Sequence, residues 1–493
     1  GESGNGIEAR NDQGTELRIE AAGVSGGNYG IYARNTGTAA LSISATGAVE
    51  GAGAYGIKAY NYGTDLTIEA AGASGQYSGI AARNTYGSGA VRVTTTGQVD
   101  GQEGIGIDAV NGGDGGTTVS VEHVSGDSRG IVAIDQGAGD LVIEATGTVT
   151  GTRYDAILAD NASGSLSVTV SGVVTGGTND GQAIDTFTRA GYSSAITLNA
   201  GADVGTDDES DGVAIANNAG DSVVTVKTGA RVSGGIVLGD GRDSLTFDGG
   251  DFSGVSEFNG GDNSGVDQSD TLTFRNGASG TLDGAKVINW ETVVIGTGGN
   301  ISVSGALNAE VEIEAGGVLG GAGTVGGNLS VASGGSVGPG NSPGTMVVAG
   351  DFDLASGATL EIEVNGNGAG EFDLLQVGGT ADFAAGSIID FTFAVPEADL
   401  FDGFAVTFLT AEDITGFADI ADIVFNFFGL GSDYTASVGF NDGLQGPDSL
   451  FVTLSEVTQT GGGNNGGNGD PVPEPGMLGL LGAGLLGLFG LAR

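Results

Sequence analysis

The residues best suited to binding a metal lie in a short glycine- and aspartate-rich turn near the middle of the chain. The turn reads Gly-Asp-Gly-Arg-Asp-Ser-Leu and contains Asp240 and Asp243, and a looser copy further along contains Asp262 and Asp270. Carboxylate and carbonyl oxygens are the ligands that Ca²⁺ prefers, and turns of this kind hold the ion by stacking copies. Ca²⁺ bound by these aspartates is one hypothesis, and a plain acidic turn is the other.

A second group of side chains could bind an anionic ligand. Arg10, Arg34, Tyr60 and Arg83 occupy the same position in copies of a short repeated segment. Side chains at this position are expected to point away from the core and to form a stripe of cations with one aromatic ring. The stripe could hold an acidic extracellular polysaccharide, or it could be a surface stack paired with nearby glutamates.

Residues suited to catalysis are sparse. A polysaccharide lyase needs a base beside a carboxylate-bound metal, and a glycosidase needs two carboxylates in one cleft. The three lysines, Lys58, Lys227 and Lys286, are isolated, and the single histidine, His123, aligns with positions that alanine holds in neighbouring repeats. The carboxylates are numerous but dispersed, as an acidic surface requires. We therefore expect no enzymatic activity, and a polysaccharide-active lyase or glycosidase is the alternative.

Composition indicates many short strands joined by turns. The 493 residues include 100 glycines and 7 prolines, yet 39% of them are hydrophobic, which is too many for a disordered chain. The formal net charge of −46 repels phosphate backbones, so nucleic acid is excluded as a partner. The chain has no cysteine, which excludes disulfides and thiolate metal clusters.

A repeat covers the first half of the chain. Its copies, Gly-Ile-x-Ala-x-Asn and variants of it, begin 23 to 27 residues apart at Gly6, Gly30, Gly56, Gly79, Gly106 and Gly130. Each copy is followed by a segment in which apolar and polar residues alternate, as at Leu17, Ile19 and Ala21, and this alternation is typical of a half-buried strand. Because no single copy could bury its apolar face alone, the repeat predicts the stacked coils of a parallel β-helix.

The asparagine that ends the first segment recurs from coil to coil. Its copies are Asn11, Asn35, Asn61, Asn84, Asn111, Asn161 and Asn217. Asparagine tolerates the left-handed conformation of turns, and its amide can bond to an identical side chain one coil away. We interpret the set as a structural ladder in preference to a ligand site.

Changes in turn length and composition divide the chain into five predicted segments. They are long coils over residues 1–235, Asp/Gly-rich and short-turn coils over 236–350, a cap over 351–458, a Gly/Asn linker over 459–471 and an apolar tail over 472–493. The predicted cap contains 14 of the 20 phenylalanines, which suggests a wider core that closes the end of the solenoid.

The coil segments, together with the sequence SVGPGNSPGTMVV, resemble the passenger domains of autotransporters over residues 5–455. The resemblance implies a right-handed parallel β-helix displayed outside a Gram-negative cell. Proteins of this class commonly act in adhesion or build surface layers.

Residues 472–493 resemble a PEP-CTERM sorting signal. Pro473, Glu474 and Pro475 form the motif, a short apolar segment expected to be helical follows it, and Arg493 ends it. The resemblance implies an exosortase as processing partner, in bacteria that make extracellular polysaccharide. The linker would present the motif to the enzyme while the apolar helix holds the chain transiently at the membrane. A single-pass anchor and a buried helix are the alternatives.

The sequence therefore predicts an all-β, right-handed parallel β-helix with a strand-rich C-terminal cap and a short hydrophobic C-terminal helix. Its expected function is structural, as an exported adhesin or as a biofilm or filament protein of the outer surface or extracellular matrix. No cofactor is expected to be required, and Ca²⁺ is the one candidate. Coils that fit their neighbours nearly fit those of another copy, so head-to-tail self-assembly is a further expectation.

Overall fold

The alternating segments of the repeat form short strands that stack in parallel from coil to coil. The computed structural model describes residues 4–207, 212–261, 269–396, 399–416, 422–443 and 446–457. These residues form an all-β parallel β-solenoid of about 15 turns, which confirms the predicted fold class. The chain divides into two compact units: unit 1 comprises residues 1–280 and 285–293, and unit 2 comprises residues 281–284 and 294–493.

Unit 1 contains three series of strands, named here the first, second and third series. The first series contains the Ile-x-Ala-x-Asn segments: Ile7–Asn11, Ile31–Asn35, Tyr55–Asn61, Ser78–Asn84, Ile105–Asn111, Ile131–Asp135, Ile157–Asn161, Ile184–Phe187, Val213–Asn217, Val255–Asn259 and Val287–Ile288. The second series contains the alternating segments: Leu17–Ala21, Leu41–Gly51, Leu66–Gly75, Val91–Thr95, Thr117–Val121, Leu141–Ala145, Leu166–Val170, Ser193–Leu198, Asp221–Lys227, Ser244–Asp248 and Thr271–Arg275.

The third series follows the second after a short bend. Two of its strands are continuous with the second-series strands Leu41–Gly51 and Leu66–Gly75. Its separate members are Val24–Gly26, Gln98–Gly101, His123–Gly126, Val149–Gly151, Val173–Gly176, Asp203–Thr206 and Arg231–Val237. The last of these also pairs with the first series, so the two series merge there and the later coils are built differently.

The register of unit 1 follows the repeat. Ile31 lies opposite Ile57, which lies opposite Ile80, and all three are fully buried. The connection from the ladder asparagine to the second series varies from four residues after Asn61 to six after Asn84, yet Leu66 still lies opposite Val91. Variation in length is therefore confined to turns, and each coil buries the same positions as its neighbour.

Glycine at the end of the third series is required by a close approach of the backbone. At Gly51 an added Cβ atom would lie 1.9 Å from the carbonyl oxygen of Tyr55. No side chain fits at that distance, so the chain can turn from the third series into the next coil only with glycine here.

His123 does not occupy an alanine position. It begins a third-series strand opposite Gln98, and Val121 is the residue opposite Ala145. The predicted alignment is wrong because the connection from Val121 to Val124 is one residue shorter than the corresponding connection in the next coil.

The later coils of unit 1 have an aromatic core. Phe247 is fully buried, with its ring centroid 5.5 Å from that of Phe274, 5.6 Å from that of Phe252 and 5.9 Å from that of Phe258. Trp290 is also buried, and its indole N–H donates to the carbonyl oxygen of Phe258 at 3.0 Å. Acidic turns define the predicted segment 236–350. The first coils of this segment nevertheless enclose a large apolar core.

Unit 2 also consists largely of parallel strands. Its strands form three groups. The first group is Asn300–Ser304, Val318–Gly321, Ser336–Pro339, Thr359–Val364, Ile388–Phe393 and Val424–Phe428. The second group is Glu310–Ile313, Leu329–Val331, Phe352–Leu354, Thr380–Phe383 and Asp413–Thr415. The third group is Ala306–Leu307, Thr324–Val325, Thr345–Val348, Leu374–Val377, Ala405–Ala411, Tyr434–Asn441 and Asp448–Glu456. The remaining elements, Ser279–Asp283, the 3₁₀ turn Gly284–Lys286 and Thr292–Ile295, lie where the chain passes between the units.

The predicted cap contains two kinds of structure. Up to Val424–Phe428 it consists of parallel strands, with the ring of Phe391 5.0 Å from that of Phe408 and 5.3 Å from that of Phe427. Asp448–Glu456 then pairs antiparallel with two other strands, Ala405–Ala411 and Tyr434–Asn441. The predicted linker and C-terminal helix lie outside the described residues.

Candidate binding surface

The predicted asparagine ladder is a chain of side-chain hydrogen bonds inside unit 1. The Nδ2 of Asn11 donates to the Oδ1 of Asn35 at 2.8 Å, and Asn35 donates in the same way to Asn61 at 2.9 Å. The ladder continues from Asn61 to Asn84 at 3.1 Å and from Asn84 to Asn111 at 3.2 Å. Since buried amides need partners, these bonds give the asparagines a structural role.

The ladder changes after Asn111. The next coil has Asp135 at this position, 3.5 Å from the Asn111 amide nitrogen, and burial raises the pKa of the Asp135 carboxyl. Asn161 bonds to carbonyl oxygens of nearby turns, and Asn217 accepts from the hydroxyl of Thr186 at 3.2 Å. Of the seven predicted members, five form one continuous ladder.

Replacing Asn61 with alanine should destabilise unit 1 by about 2 kcal/mol, because a lost buried hydrogen-bond partner typically costs roughly 1–3 kcal/mol. Asn61 is fully buried and also donates to the carbonyl oxygen of Thr64 at 2.9 Å. Urea unfolding followed by circular dichroism measures the change. The exposed Asn179, replaced by alanine, is the matched control and should change stability little. Equal midpoints for the two variants would contradict a stabilising ladder.

The predicted cation stripe forms one column on the outer face of the first series. Arg10 lies opposite Arg34, Arg34 opposite Tyr60, and Tyr60 opposite Arg83. Val110 is next in the column, so the stripe ends after four coils.

The members of the stripe have different partners. Arg10 forms an ion pair with Glu8 at 2.9 Å, and Arg83 forms one with Asp108 of the next coil. Arg34 instead places its guanidinium 5.5 Å from the ring centroid of Tyr62. The alternative of a surface stack paired with carboxylates therefore describes Arg10 and Arg83, but not Arg34.

The stripe belongs to a larger cluster of tyrosines, of which only Tyr60 was predicted. This tyrosine cluster consists of seven of the ten tyrosines in the chain: Tyr29, Tyr32, Tyr55, Tyr60, Tyr62, Tyr77 and Tyr86. The rings of Tyr29 and Tyr55 stack at 5.8 Å with an interplanar angle of 8°, and Tyr77 continues the column 6.2 Å from Tyr55. Tyr62 and Tyr86 form a separate pair at 6.3 Å. The confinement of these tyrosines to residues 29–86 is the sequence signal that could have revealed the cluster.

Asp243 and Asp270, two of the four aspartates predicted to bind calcium, accept hydrogen bonds from backbone N–H groups of adjacent coils. The Asp243 carboxylate accepts from the Ser222 N–H at 2.6 Å, and the Asp243 N–H donates to the carboxylate of Asp270 at 2.7 Å. Asp243 and Asp270 are buried, whereas Asp240 is exposed. Asp262 lies outside the described residues. The structure thus places Asp243 and Asp270 together and leaves Asp240 on the surface.

Burial is the main influence on the pKa of Asp243. It raises the pKa of Asp243 to about 7, and the nearby charges of Asp270 and Asp221 act in the same direction. Within the part of the chain that the structure describes, no three His, Cys, Asp or Glu side chains are arranged to hold a metal ion. Calcium binding therefore stays a prediction.

A further acidic pair lies near the middle of unit 1. Burial raises the pKa of Asp185 to about 7, and the nearby charge of Asp155 adds to the effect. Asp155 forms an ion pair with Arg129 at 2.8 Å, and Asp185 accepts from the Asn218 amide at 2.9 Å. Two close carboxylates, one of which holds its proton to neutral pH, are a feature of acid–base catalysis as well as of structural networks.

The predicted sorting motif, Pro473, Glu474 and Pro475, lies outside the described residues. Among the residues that are described, no helix is long and apolar enough to cross a membrane.

No protein-family model matches the chain, and no curated protein matches it. The class of protein is therefore given by the fold alone, a parallel β-solenoid with repeated coils.

Proposed function

We propose that the protein is a non-enzymatic structural protein, exported to the outer surface or extracellular matrix of a Gram-negative bacterium as an adhesin or as a biofilm or filament component. One observation carries the proposal: buried polar side chains of unit 1, among them the ladder asparagines and two aspartates, bond to adjacent coils. The amide of Asn61 bonds to Asn84, and the carboxylates of Asp243 and Asp270 accept from backbone N–H groups. Side chains used in this way hold coils together and are not free to act on a substrate.

The tail motif supports export with processing. In this proposal an exosortase cleaves near Pro473, Glu474 and Pro475, after the apolar segment has held the chain at the membrane. Protein recovered from the cell surface or medium should therefore lack Met477–Arg493 in an intact-mass measurement. Replacing Glu474 with alanine should leave the tail attached, with replacement of Glu456, before the linker, as the control. Released wild-type protein that still contains the tail would contradict processing.

A polysaccharide-active enzyme is the second candidate, and the pairing of Asp155 with Asp185 favours it. Purified protein incubated with acidic and neutral polysaccharides should release no reducing ends and no unsaturated products if the role is structural. Turnover that disappears when Asp185 is replaced by asparagine, but not when the exposed Asp240 is, would establish the enzyme in place of the structural protein.

A further inference from the structure

The first four coils differ in charge from the rest of the chain. Residues 1–101 contain 6 basic and 9 acidic side chains, a net charge of −3, whereas the whole chain carries −46. The remaining 392 residues therefore carry −43. An anionic polymer is repelled by most of the protein and is repelled less at these coils than by the chain on average.

Among the described residues, three cations of this region, Arg34, Lys58 and Arg92, lie in no ion pair, and two of them contact tyrosine rings. Lys58 lies with its ammonium nitrogen 4.0 Å from the ring centroid of Tyr55, 5.5 Å from that of Tyr60 and 5.7 Å from that of Tyr29. Arg34 packs on Tyr62. Within the described residues, neither cation lies within 4.0 Å of a carboxylate, although eight arginines of the chain do.

Lys58 and Arg34 contact tyrosine rings although carboxylates are abundant in this chain. With 61 Asp and Glu against 15 Lys and Arg, a cation readily finds a carboxylate to pair with. Contact with aromatic faces positions a cation while leaving its hydrogen-bond donors available. Tyrosine rings therefore hold Lys58 and Arg34 in place, and the two cations can still bind an external anion.

The tyrosine cluster supplies the second half of a binding surface. Tyr62, Tyr77 and Tyr86 are 37%, 53% and 66% exposed, so apolar ring surface is open to solvent. Aromatic side chains offer an apolar face together with a polar hydroxyl, a combination suited to sugar rings, which have apolar C–H faces edged by hydroxyl groups. The rings recur with each coil, as the sugars of a polysaccharide recur along its chain.

We propose that the tyrosine cluster, with Lys58 and Arg34, binds an acidic polysaccharide along the outer face of the first four coils. The sugar rings pack on Tyr62, Tyr77 and Tyr86, and Lys58 and Arg34 bind the carboxylate or sulfate groups. The proposal rests on the proposed function in one respect: an exported protein is one that meets extracellular polysaccharide. It also revises the predicted stripe. Arg34 and Tyr60 remain part of the proposed binding surface, whereas Arg10 and Arg83 are excluded because they form ion pairs with carboxylates.

Binding of the purified full-length chain to three polysaccharides tests the proposal. Polygalacturonate carries carboxylates, dextran sulfate carries sulfates, and dextran is neutral. At physiological ionic strength, where the Debye length is about 8 Å, the distant negative charge of the protein is screened. We expect retardation in affinity electrophoresis by one or both anionic polymers and not by dextran. Equal retardation by dextran, or retardation by none of the three, would overturn the proposal.

Variants identify the surface. Replacing Lys58 and Arg34 together with glutamine should weaken binding about tenfold or more, since a hydrogen bond to a charged group is worth roughly 1.5–3 kcal/mol. Replacing Tyr77 with alanine should weaken it several-fold, in proportion to one aromatic contact of about 1 kcal/mol. The conservative Lys58→Arg variant should keep binding, which separates loss of the cation from loss of folding.

Matched controls lie outside the cluster. Tyr192→Ala removes an exposed tyrosine, and Lys227→Gln removes an exposed lysine elsewhere in unit 1. Both variants should bind as the wild type does, and a loss equal to that of the cluster variants would refute the assignment of the site. Because the assay uses purified components, its failure would leave the exported location and the processing of the tail unaffected.

Discussion

Replacing Phe247 with alanine should lower the unfolding free energy of unit 1 by about 3–5 kcal/mol, the range for a large aromatic side chain removed from a packed core. Phe247 is fully buried and contacts Phe252, Phe258 and Phe274. Phe274 lies opposite Phe247 on the next coil, and the side chains around a removed ring relax only partially. The decrease in unfolding free energy should therefore have two parts: the free energy of transferring the ring out of water, and the cost of the cavity that remains.

Denaturant unfolding of the full chain measures this effect. Phe247→Leu is the matched variant and should cost markedly less, because it keeps most of the apolar volume. Phe440→Ala, at a site that is 41% exposed, should change stability little. If Phe247→Ala and Phe440→Ala unfolded at the same midpoint, the aromatic core could not be the main support of these coils.

The second large effect is on the pH dependence of stability. Burial raises the pKa of Asp243 from its ordinary value of 3.8 to about 7 in the folded protein. The folded state therefore holds this proton more tightly than the unfolded state does, and its stabilising contribution is complete below pH 4. It is lost as the pH rises from 4 to 7, by about 1.4 kcal/mol per pH unit for one group.

Asp243→Asn should remove this part of the pH dependence. The variant carries no charge, so its stability relative to the wild type should increase steadily between pH 4 and pH 7. The amide oxygen can still accept from the Ser222 N–H, which bonds to the wild-type carboxylate at 2.6 Å. The exposed Asp240, replaced by asparagine, is the control. Parallel stability curves for the Asp243 variant and the wild type would contradict a raised pKa.

The periodic part of the fold could be predicted from the sequence because its register depends on apolar side chains alone. Ile31, Ile57 and Ile80 are opposite one another in the structure and recognisable in the sequence as copies. The third series was less evident: the Gly-x-Val-x-Gly segments resemble turns, and their strands are only three or four residues long. Turn-like composition and short strands are hard to distinguish without the neighbouring coil.

The sites were harder to predict for a different reason. Tyr29 and Tyr32 belong to one coil, and only the stacking of coils brings them to Tyr55 and Tyr60 of the next. In the acidic turn the residue types were recognised, but not the fact that the Asp243 carboxylate reaches a backbone N–H one coil away. The sequence shows which side chains a turn contains. Their hydrogen-bond partners depend on the neighbouring coil, which the local sequence does not show.

The tolerance of turn length has a consequence for how such a chain can evolve. Since four to six residues connect the ladder asparagine to a second-series strand without altering the register, a coil meets its neighbours through the same positions whatever its turns contain. Duplication of the gene segment that encodes one coil would insert a unit whose two faces already match the coils on either side. The number of coils can therefore increase or decrease by recombination between repeats, while the surface loops diverge independently.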